Sequence, residues 1–222
     1  MLRTMFLFED HLPAGAKPVY LPRENRSIYI ASGGVDIHSD NATRYVSEGS
    51  ALVADEELTV SATEVDSTVW RWELAGAASD ETAHTLRSAP QTSSELKLTA
   101  TFELDDRYTW LMRCDTVTFP PGGIAWTHLH QGPGIRITRS GEITIETEGT
   151  TQVHGPGSAW AEKGVVPVYA PTTDKIGTTF VRCFLLPKQN KGASSIRFVH
   201  PEDNEKINTQ KYRVLMERVI VV

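Results

Sequence analysis

Two histidines, His128 and His130, stand two residues apart in a stretch, residues 125–130, whose composition is typical of a β-strand. Residues two apart on a strand point to the same face of the sheet, and in a small closed barrel that face is the lumen. Two imidazoles on one lumen wall are the start of a site for a divalent metal such as Fe, Mn, Ni or Zn. The alternative is a pair of hydrogen-bonded lumen histidines without a metal.

An arginine and a tryptophan are predicted to face the same lumen. Arg136 is separated from the two histidines by an even number of residues, so alternation points its side chain inward. A buried guanidinium needs an anionic partner, which is either a carboxylate-bearing ligand or a glutamate of the same barrel such as Glu142 or Glu146. Trp126 lies two residues before His128 and is predicted to wall the pocket.

The rest of the chain supplies the strands that would hold these side chains. Short extended runs alternate with turn residues at roughly ten-residue spacing, which predicts an all-β barrel or sandwich with little helix. The sequence contains 18 Val, 12 Ile and 24 Thr, and this excess of β-branched residues favours strands. The final segment, residues 211–222, is predicted to be ordered, either completing a barrel or crossing to a second copy in a homodimer.

The chain also contains an internal repeat with a shift of 108 residues. From Pro13 to Ala51 the first half aligns without a gap on the second half, with ten identities in 39 positions. The identities fall on turn glycines, such as Gly33 with Gly141, and on strand positions, where a shared fold would place them. The repeat therefore predicts two copies of one β domain.

These copies give the predicted domain organisation. An N-terminal barrel occupies residues 1–75, a small and polar linker residues 76–95, and a C-terminal barrel with a terminal extension residues 96–222. Tyr20 and Pro22 stand in the first copy where the two histidines stand in the second. The first barrel is therefore predicted to be structural, and the site is assigned to the second.

The stretch from Gly122 to Glu142 resembles the first sequence motif of the cupin superfamily. That motif reads Gly, five residues, His-x-His, three or four residues, Glu, six residues, Gly. The residues that match it in type and spacing are Gly122, His128, His130 and Gly141. The glutamate position falls on Gly134, or on Ile135 with the longer spacing, so that ligand is missing.

The second cupin motif, Gly, five residues, Pro-x-Gly, two residues, His, falls on residues 157–167. Gly157 and Gly164 match it. Glu162 stands at the proline position and Pro167 at the histidine position, so a second ligand of the family is also missing.

A catalytic metal usually has three protein ligands, so a third would have to come from outside the motifs. Gln131, Glu142 and Tyr169 are the candidates, and Gln131 and Tyr169 are also candidates for contact with a bound molecule. Tyr169 is the best placed of them, because it lies two residues beyond Pro167 and so on the same strand face.

Because the resemblance covers both halves, it implies a bicupin, an all-β chain of two tandem cupin-type barrels (double-stranded β-helices, or jelly rolls). It implies a small-molecule enzyme with metal-assisted chemistry in the C-terminal barrel, of the kind that dioxygenases, isomerases and decarboxylases perform. A non-catalytic bicupin that binds a small molecule without a metal is the alternative. A purely structural role is the third hypothesis.

Composition excludes several other classes. The net charge of −6 argues against nucleic acid or an anionic membrane surface as a partner. Hydrophobic residues make up 40% and charged residues 23%, as in an ordinary globular protein, and no apolar run suits a membrane span or a signal peptide. Cys114 and Cys183 lie in apolar runs and are predicted to be buried thiols of a reducing compartment, so a cytoplasmic location is expected. No phosphate-binding loop is present, so no nucleotide cofactor is expected.

Overall fold

The structure, a computed structural model, describes residues 1–40, 42–86 and 89–222 and consists of two β units. The first unit contains Met1–Arg107 together with Ile220–Val222, and the second contains Tyr108–Val219. The all-β prediction is confirmed. Helix within the described residues is limited to the short 3₁₀ helices Glu81–His84, Lys188–Asn190 and Pro201–Asn204. Nowhere in this part of the chain is a helix long and apolar enough to cross a membrane.

The strands follow one another through short turns. In the first unit they are β1 (Leu2–Leu12), β2 (Val19–Leu21), β3 (Asn25–Ser32), β4 (Gly34–Ser39), β5 (Ala42–Ser47), β6 (Ala51–Ala54), β7 (Leu58–Ala62), β8 (Ser67–Gly76) and β9 (Ser93–Glu103). In the second they are β10 (Trp110–Phe119), β11 (Ile124–His130), β12 (Gly134–Ser140), β13 (Ile143–Thr147), β14 (Thr150–His154), β15 (Ala159–Glu162), β16 (Val168–Pro171), β17 (Thr178–Pro187), β18 (Ile196–Phe198) and β19 (Lys211–Ile220).

The two units share one strand order. The first is built from the sheets β6-β3-β8-β1-β9 and β2-β7-β4-β5. The second is built from β15-β12-β17-β10-β19 and β14-β13-β16-β11-β18. Each strand from β1 to β8 thus has a counterpart nine places later in the equivalent position, β9 corresponds to β19, and β18 is an addition beside β11 in the second unit. This common order confirms the prediction of two tandem jelly-roll barrels.

One pair of turns shows the repeat at the level of single atoms. The backbone φ angle is +76° at Gly33 and +75° at Gly141, a region that disfavours every side chain. A Cβ atom would lie 2.5 Å from Ser67 Oγ if it were added at Gly33, and 2.4 Å from Thr178 Oγ1 if it were added at Gly141. Both positions therefore need glycine for the same two reasons, as expected for equivalent turns.

The boundary between the units lies later than the sequence suggested. Strand β9 pairs with β1 from its first residue to its last. Residues 96–107 consequently cluster with the first unit, whereas the sequence placed the start of the second barrel at residue 96. The small polar residues before this strand resemble a linker in composition, but Ser93 and Ser94 already belong to the sheet.

The interiors of the two barrels differ. The first lumen is packed with aliphatic side chains, among them Ile28, Ile30, Val35, Val60 and Val69. Ile28 stands there at the position equivalent to Arg136 in the repeat, so the first barrel has no polar site at this level. In the second unit, an apolar cluster that includes Phe119, Ile143 and Phe180 covers only part of the interior. Polar side chains form the rest.

The first barrel does contain charged residues, and they pair with one another. Arg26 Nε lies 2.9 Å and Arg71 Nη1 2.8 Å from the same oxygen, Glu73 Oε1. Arg71 Nε lies 2.6 Å from Asp10 Oδ2. All four side chains are almost completely buried. A buried guanidinium requires such an anion, so removal of either carboxylate would leave a buried charge uncompensated. Oε2 of Glu73 is buried and makes no hydrogen bond to any described residue.

Candidate functional site

The second barrel contains a cavity with a volume of about 20 Å³. Such a volume admits roughly one or two water molecules before any side chain moves. Its polar wall consists of His128 and His130 on β11, Arg136 on β12, Glu162 on β15 and Arg182 on β17, together with Gln210, which precedes β19. Strands from both sheets therefore meet at one small cavity.

The structure brings the two histidines together in this cavity. Both are buried, and their ring centroids lie 4.8 Å apart. Arg136 also lines the cavity and is only 1% exposed. Alternation along β11 and β12 was therefore sufficient to place these three side chains on one wall.

Alternation does not hold at Trp126. The pairing of β11 with β16 has an irregularity between Ala125 and His128, and these two residues both line the cavity although they are three apart. The extra residue turns Trp126 away from the lumen. Its ring lies 6.2 Å from the ring of Tyr169, measured between centroids, and neither side chain is among those that line the cavity.

The other predicted contacts also lie outside. Tyr169 is flanked by Val168, which is buried in the barrel core, and by Ala170, which lines the cavity, so it takes the opposite face of β16. Gln131 follows the end of β11 and Glu142 follows the end of β12, and neither lines the cavity. None of the three predicted third ligands therefore lines the cavity with the histidines.

Hydrogen bonds fix the tautomer of both imidazoles. Nδ1 of His128 donates to the backbone oxygen of Trp126 at 2.7 Å. Nδ1 of His130 lies 3.2 Å from Ser195 Oγ, while Nε2 of His130 faces the guanidinium of Arg182, which can only donate. In both rings the proton is therefore on Nδ1 and the lone pair on Nε2. The side chain of Arg182 donates from Nη1 to Nε2 of His130 at 3.4 Å.

Arg182 is held in this position by Asp115, the residue directly opposite on β10. Nε of Arg182 lies 2.6 Å from Oδ1 of Asp115 and Nη2 lies 3.1 Å from Oδ2, a two-point contact that fixes the plane of the guanidinium. The sequence prediction missed Arg182. The counterpart of Arg182 in the first barrel is Arg71, which pairs with Asp10 on the corresponding pair of strands.

Glu162 is the anionic partner of Arg136, in place of the predicted Glu142 or Glu146. Oε2 of Glu162 lies 2.8 Å from Nη2 of Arg136, and Oε1 accepts a hydrogen bond from Trp160 Nε1 at 2.8 Å. Glu162 stands directly opposite Gly134 on the neighbouring strand, so a carboxylate reaches the wall from which the glutamate of the motif is missing. In the sequence, Glu162 could have been recognised because it replaces the proline of the second cupin motif.

Burial and charge set the protonation states in the cavity. Burial lowers the pKa of His128, and burial together with the charge of Arg182 lowers that of His130 well below 6.5. Burial alone would raise the pKa of Glu162, but the charge of Arg136, the hydrogen bond from Trp160 and the charges of His128 and Arg182 together outweigh burial, and the pKa is lowered. Burial lowers the pKa of Arg136 to about 10, so it stays a cation at neutral pH. The cavity thus holds neutral imidazoles, an ionised carboxylate and guanidinium cations.

These residues do not fit a metal ion as they stand. No group of three His, Cys, Asp or Glu side chains within the described ranges is arranged to hold one. The lone pair of His130 that a metal would use already accepts a hydrogen bond from Arg182, whose guanidinium stays charged and can only donate. The predicted metal ligands are therefore neighbours in space, but only His128 has a free Nε2.

Acid is expected to destabilise the second barrel through His130. Its folded pKa lies below 6.5, so the unfolded chain binds a proton here at a pH where the folded chain does not. The free energy of unfolding is therefore highest above pH 6.5 and falls as the pH drops from 6.5 toward the lower folded pKa, by about 1 kcal/mol per pH unit. Urea unfolding between pH 7.5 and 5.5 measures this slope. It should be shallower in His130→Gln and unchanged in His11→Gln, an exposed control; equal slopes in all three proteins would contradict the expectation.

Comparisons with known proteins bear on the fold. No protein-family model matches the sequence, and no curated protein matches it. Among solved structures, AerE from Microcystis aeruginosa is 11% identical over 81% of this chain and 87% of that chain, with a TM-score of 0.59. Lactobacillus farciminis oxalate decarboxylase in a formate complex is 12% identical over 91% and 82%, with a TM-score of 0.63. A variant of salicylate 1,2-dioxygenase from Pseudoaminobacter salicylatoxidans is 10% identical over 95% and 74%, with a TM-score of 0.56.

Proposed function

Given that the chain has the bicupin fold, we propose that its second barrel is a small-molecule-binding site that works without a metal ion. Cupin-type relatives by fold include an oxalate decarboxylase and a salicylate 1,2-dioxygenase, whose names denote small-molecule substrates. The polar cavity of the second barrel is the place for such a molecule, because several polar groups converge there, and a molecule larger than about two waters would require side chains to move.

The hydrogen bond from Arg182 to Nε2 of His130 carries this proposal. A divalent cation bound to that nitrogen would compete with the N–H of the guanidinium and lie beside its positive charge in a buried setting, where charges are weakly screened. Arg182 does not move aside freely, since leaving Asp115 would strand a carboxylate that is fully buried. The ion pair between Arg182 and Asp115 thus keeps Nε2 of His130 in its hydrogen bond with Arg182.

Metal-assisted chemistry is the second candidate, and one distance favours it. Oε2 of Glu162 lies 3.7 Å from Nε2 of His130. Two ligands of one ion with bonds of about 2.1 Å are separated by about 3–3.5 Å, so the two atoms are close to a shared coordination sphere. With His128 they would form a two-histidine, one-carboxylate set, if Arg182 withdrew. A bound metal would then supply Lewis-acid chemistry.

Binding to metal-free protein tests the proposal. The chain is purified without an affinity tag, treated with EDTA and analysed for metal, and a panel of small amides, alcohols and carboxylates is titrated by calorimetry. We expect the protein to bind a member of the panel while it contains less than about 0.1 metal ion per chain, since the proposed binding does not involve an ion. Arg136→Met should abolish the binding, and Arg197→Met, an exposed arginine of the same unit, should leave it intact. Binding only after a metal is added would favour the second candidate, and no binding in either state would favour a structural role.

A further inference from the structure

Three atoms of residues on the cavity wall lack a hydrogen bond within the described residues. Nη2 of Arg136 and Oε2 of Glu162 are buried and have no hydrogen-bond partner, although they lie 2.8 Å apart as an ion pair, because their orientation does not direct the N–H at the oxygen. His128 bonds only through Nδ1, which leaves Nε2. Arg136 and Glu162 are 1% and 8% exposed, so water outside the barrel does not solvate them.

Together these atoms form a defined pattern of one donor and two acceptors. The donor is Nη2 of Arg136, and the acceptors are Oε2 of Glu162 and Nε2 of His128. A buried group without a hydrogen bond is costly, so a molecule that satisfies the two buried atoms, Nη2 of Arg136 and Oε2 of Glu162, gains more than its contact area provides. The complementary molecule carries one acceptor and two donors.

We propose that the second barrel binds a small neutral molecule with a primary amide group, a conclusion that rests on the metal-free binding function proposed above. The amide oxygen accepts from Arg136, and the NH₂ group donates to Glu162 and His128. The oxygen and nitrogen of an amide are about 2.2 Å apart, from bond lengths of about 1.23 and 1.33 Å. This spacing matches the 2.8 Å between Nη2 of Arg136 and Oε2 of Glu162 for two roughly parallel hydrogen bonds.

The charge of the cavity selects a neutral molecule over an anion. Arg136 is balanced by Glu162 and Arg182 by Asp115, so the wall carries no net charge. A carboxylate would add an uncompensated buried charge. It would also place its second oxygen, an acceptor, against Oε2 of Glu162, where a donor is required. The carboxylate-bearing ligand expected from the sequence is thus disfavoured, because Arg136 already has its anion.

Cavity size limits the molecule and its affinity. Formamide, about as large as two water molecules, is at the limit of what the cavity admits without rearrangement, and acetamide fits only if side chains move. The best ligands of three or four heavy atoms reach dissociation constants of about 1 mM at most, so titrations must extend to about 100 mM.

Calorimetric titration of the EDTA-treated full chain with formamide and with sodium formate, which share a shape, tests the proposal. The wild type should bind formamide at least about 10-fold more tightly than formate, since the site pairs with donors. N-methylacetamide, which has lost one donor, should bind more weakly than acetamide. Equal binding of formate, or a preference for it, would overturn the amide assignment while leaving metal-free binding intact.

Glu162→Gln supplies the sharpest test, because it replaces the acceptor by an amide and removes one negative charge. Formate should then bind at least about 10-fold more tightly than in the wild type, and formamide more weakly. Glu146→Gln makes the same change on the exposed face of β13 and should alter neither affinity. If Glu162→Gln unfolds, Glu162→Asp retains the charge but withdraws the carboxylate, and should weaken formamide without admitting formate. A preference that survives both substitutions would contradict the proposal, whereas failure of all probes would count against the binding function itself.

Discussion

Replacing Glu73 by alanine is expected to lower the free energy of unfolding of the first barrel by about 3–5 kcal/mol. One oxygen of this carboxylate pairs with both Arg26 and Arg71, which are each 1% exposed. Without Glu73, Arg26 keeps only backbone oxygens as partners and becomes a buried charge without an anion. Denaturant unfolding followed by tryptophan fluorescence measures the loss.

Glu64→Ala is the matched control, because Glu64 is an exposed carboxylate in the turn before β8. It should change the free energy of unfolding by less than about 0.5 kcal/mol. A loss of similar size in both variants would show that Glu73 acts through general charge balance and not through the two buried arginines.

The double substitution Asp115→Asn with Arg182→Met is expected to create a divalent-metal site in the second barrel. It removes both members of a buried ion pair, so neither charge is left alone, and it frees Nε2 of His130. His128, His130 and Glu162 then offer two imidazoles and a carboxylate, and we expect micromolar or tighter binding of Zn²⁺, against none tighter than about 100 µM in the wild type. Calorimetric titration and elemental analysis after gel filtration measure this gain.

The first barrel provides a matched control for this gain. Asp10→Asn with Arg71→Met removes the corresponding pair from a lumen that contains no histidine pair. That variant should not bind Zn²⁺. Failure of the second-barrel variant to bind, with its fold intact by circular dichroism, would mean that Arg182 is not what keeps the metal out.

Most of the fold was predictable because short-range sequence patterns determine where the strands begin and end. Period-two patterns and turn glycines such as Gly33 and Gly141 mark strand ends, and a shift of 108 residues carried the first pattern onto the second. The N-terminal strand Leu2–Leu12 was not predicted, since its mixed apolar and charged residues give no clean alternation. Strand β18 was missed as well, because Ile196–Phe198 is a short pairing made far along the chain from its partner β11.

The site was predictable only in part, because its central contacts join distant strands. His128, His130 and Arg136 lie on two consecutive strands, where alternation applies. Glu162 and Arg182 reach the cavity from β15 and β17, and their roles depend on strand order and register rather than on spacing. Trp126 shows the opposite case, in which a single extra residue in β11 reverses the predicted direction of a side chain.

Titration of the tag-free, EDTA-treated wild type with Zn²⁺ and Mn²⁺ tests most directly the central claim that the second barrel works without a metal. Because Arg182 donates a hydrogen bond to Nε2 of His130, we expect no binding tighter than about 100 µM for either ion. Binding of one ion per chain at micromolar concentration or below, lost in His128→Ala, would contradict the claim and establish the metal-assisted alternative.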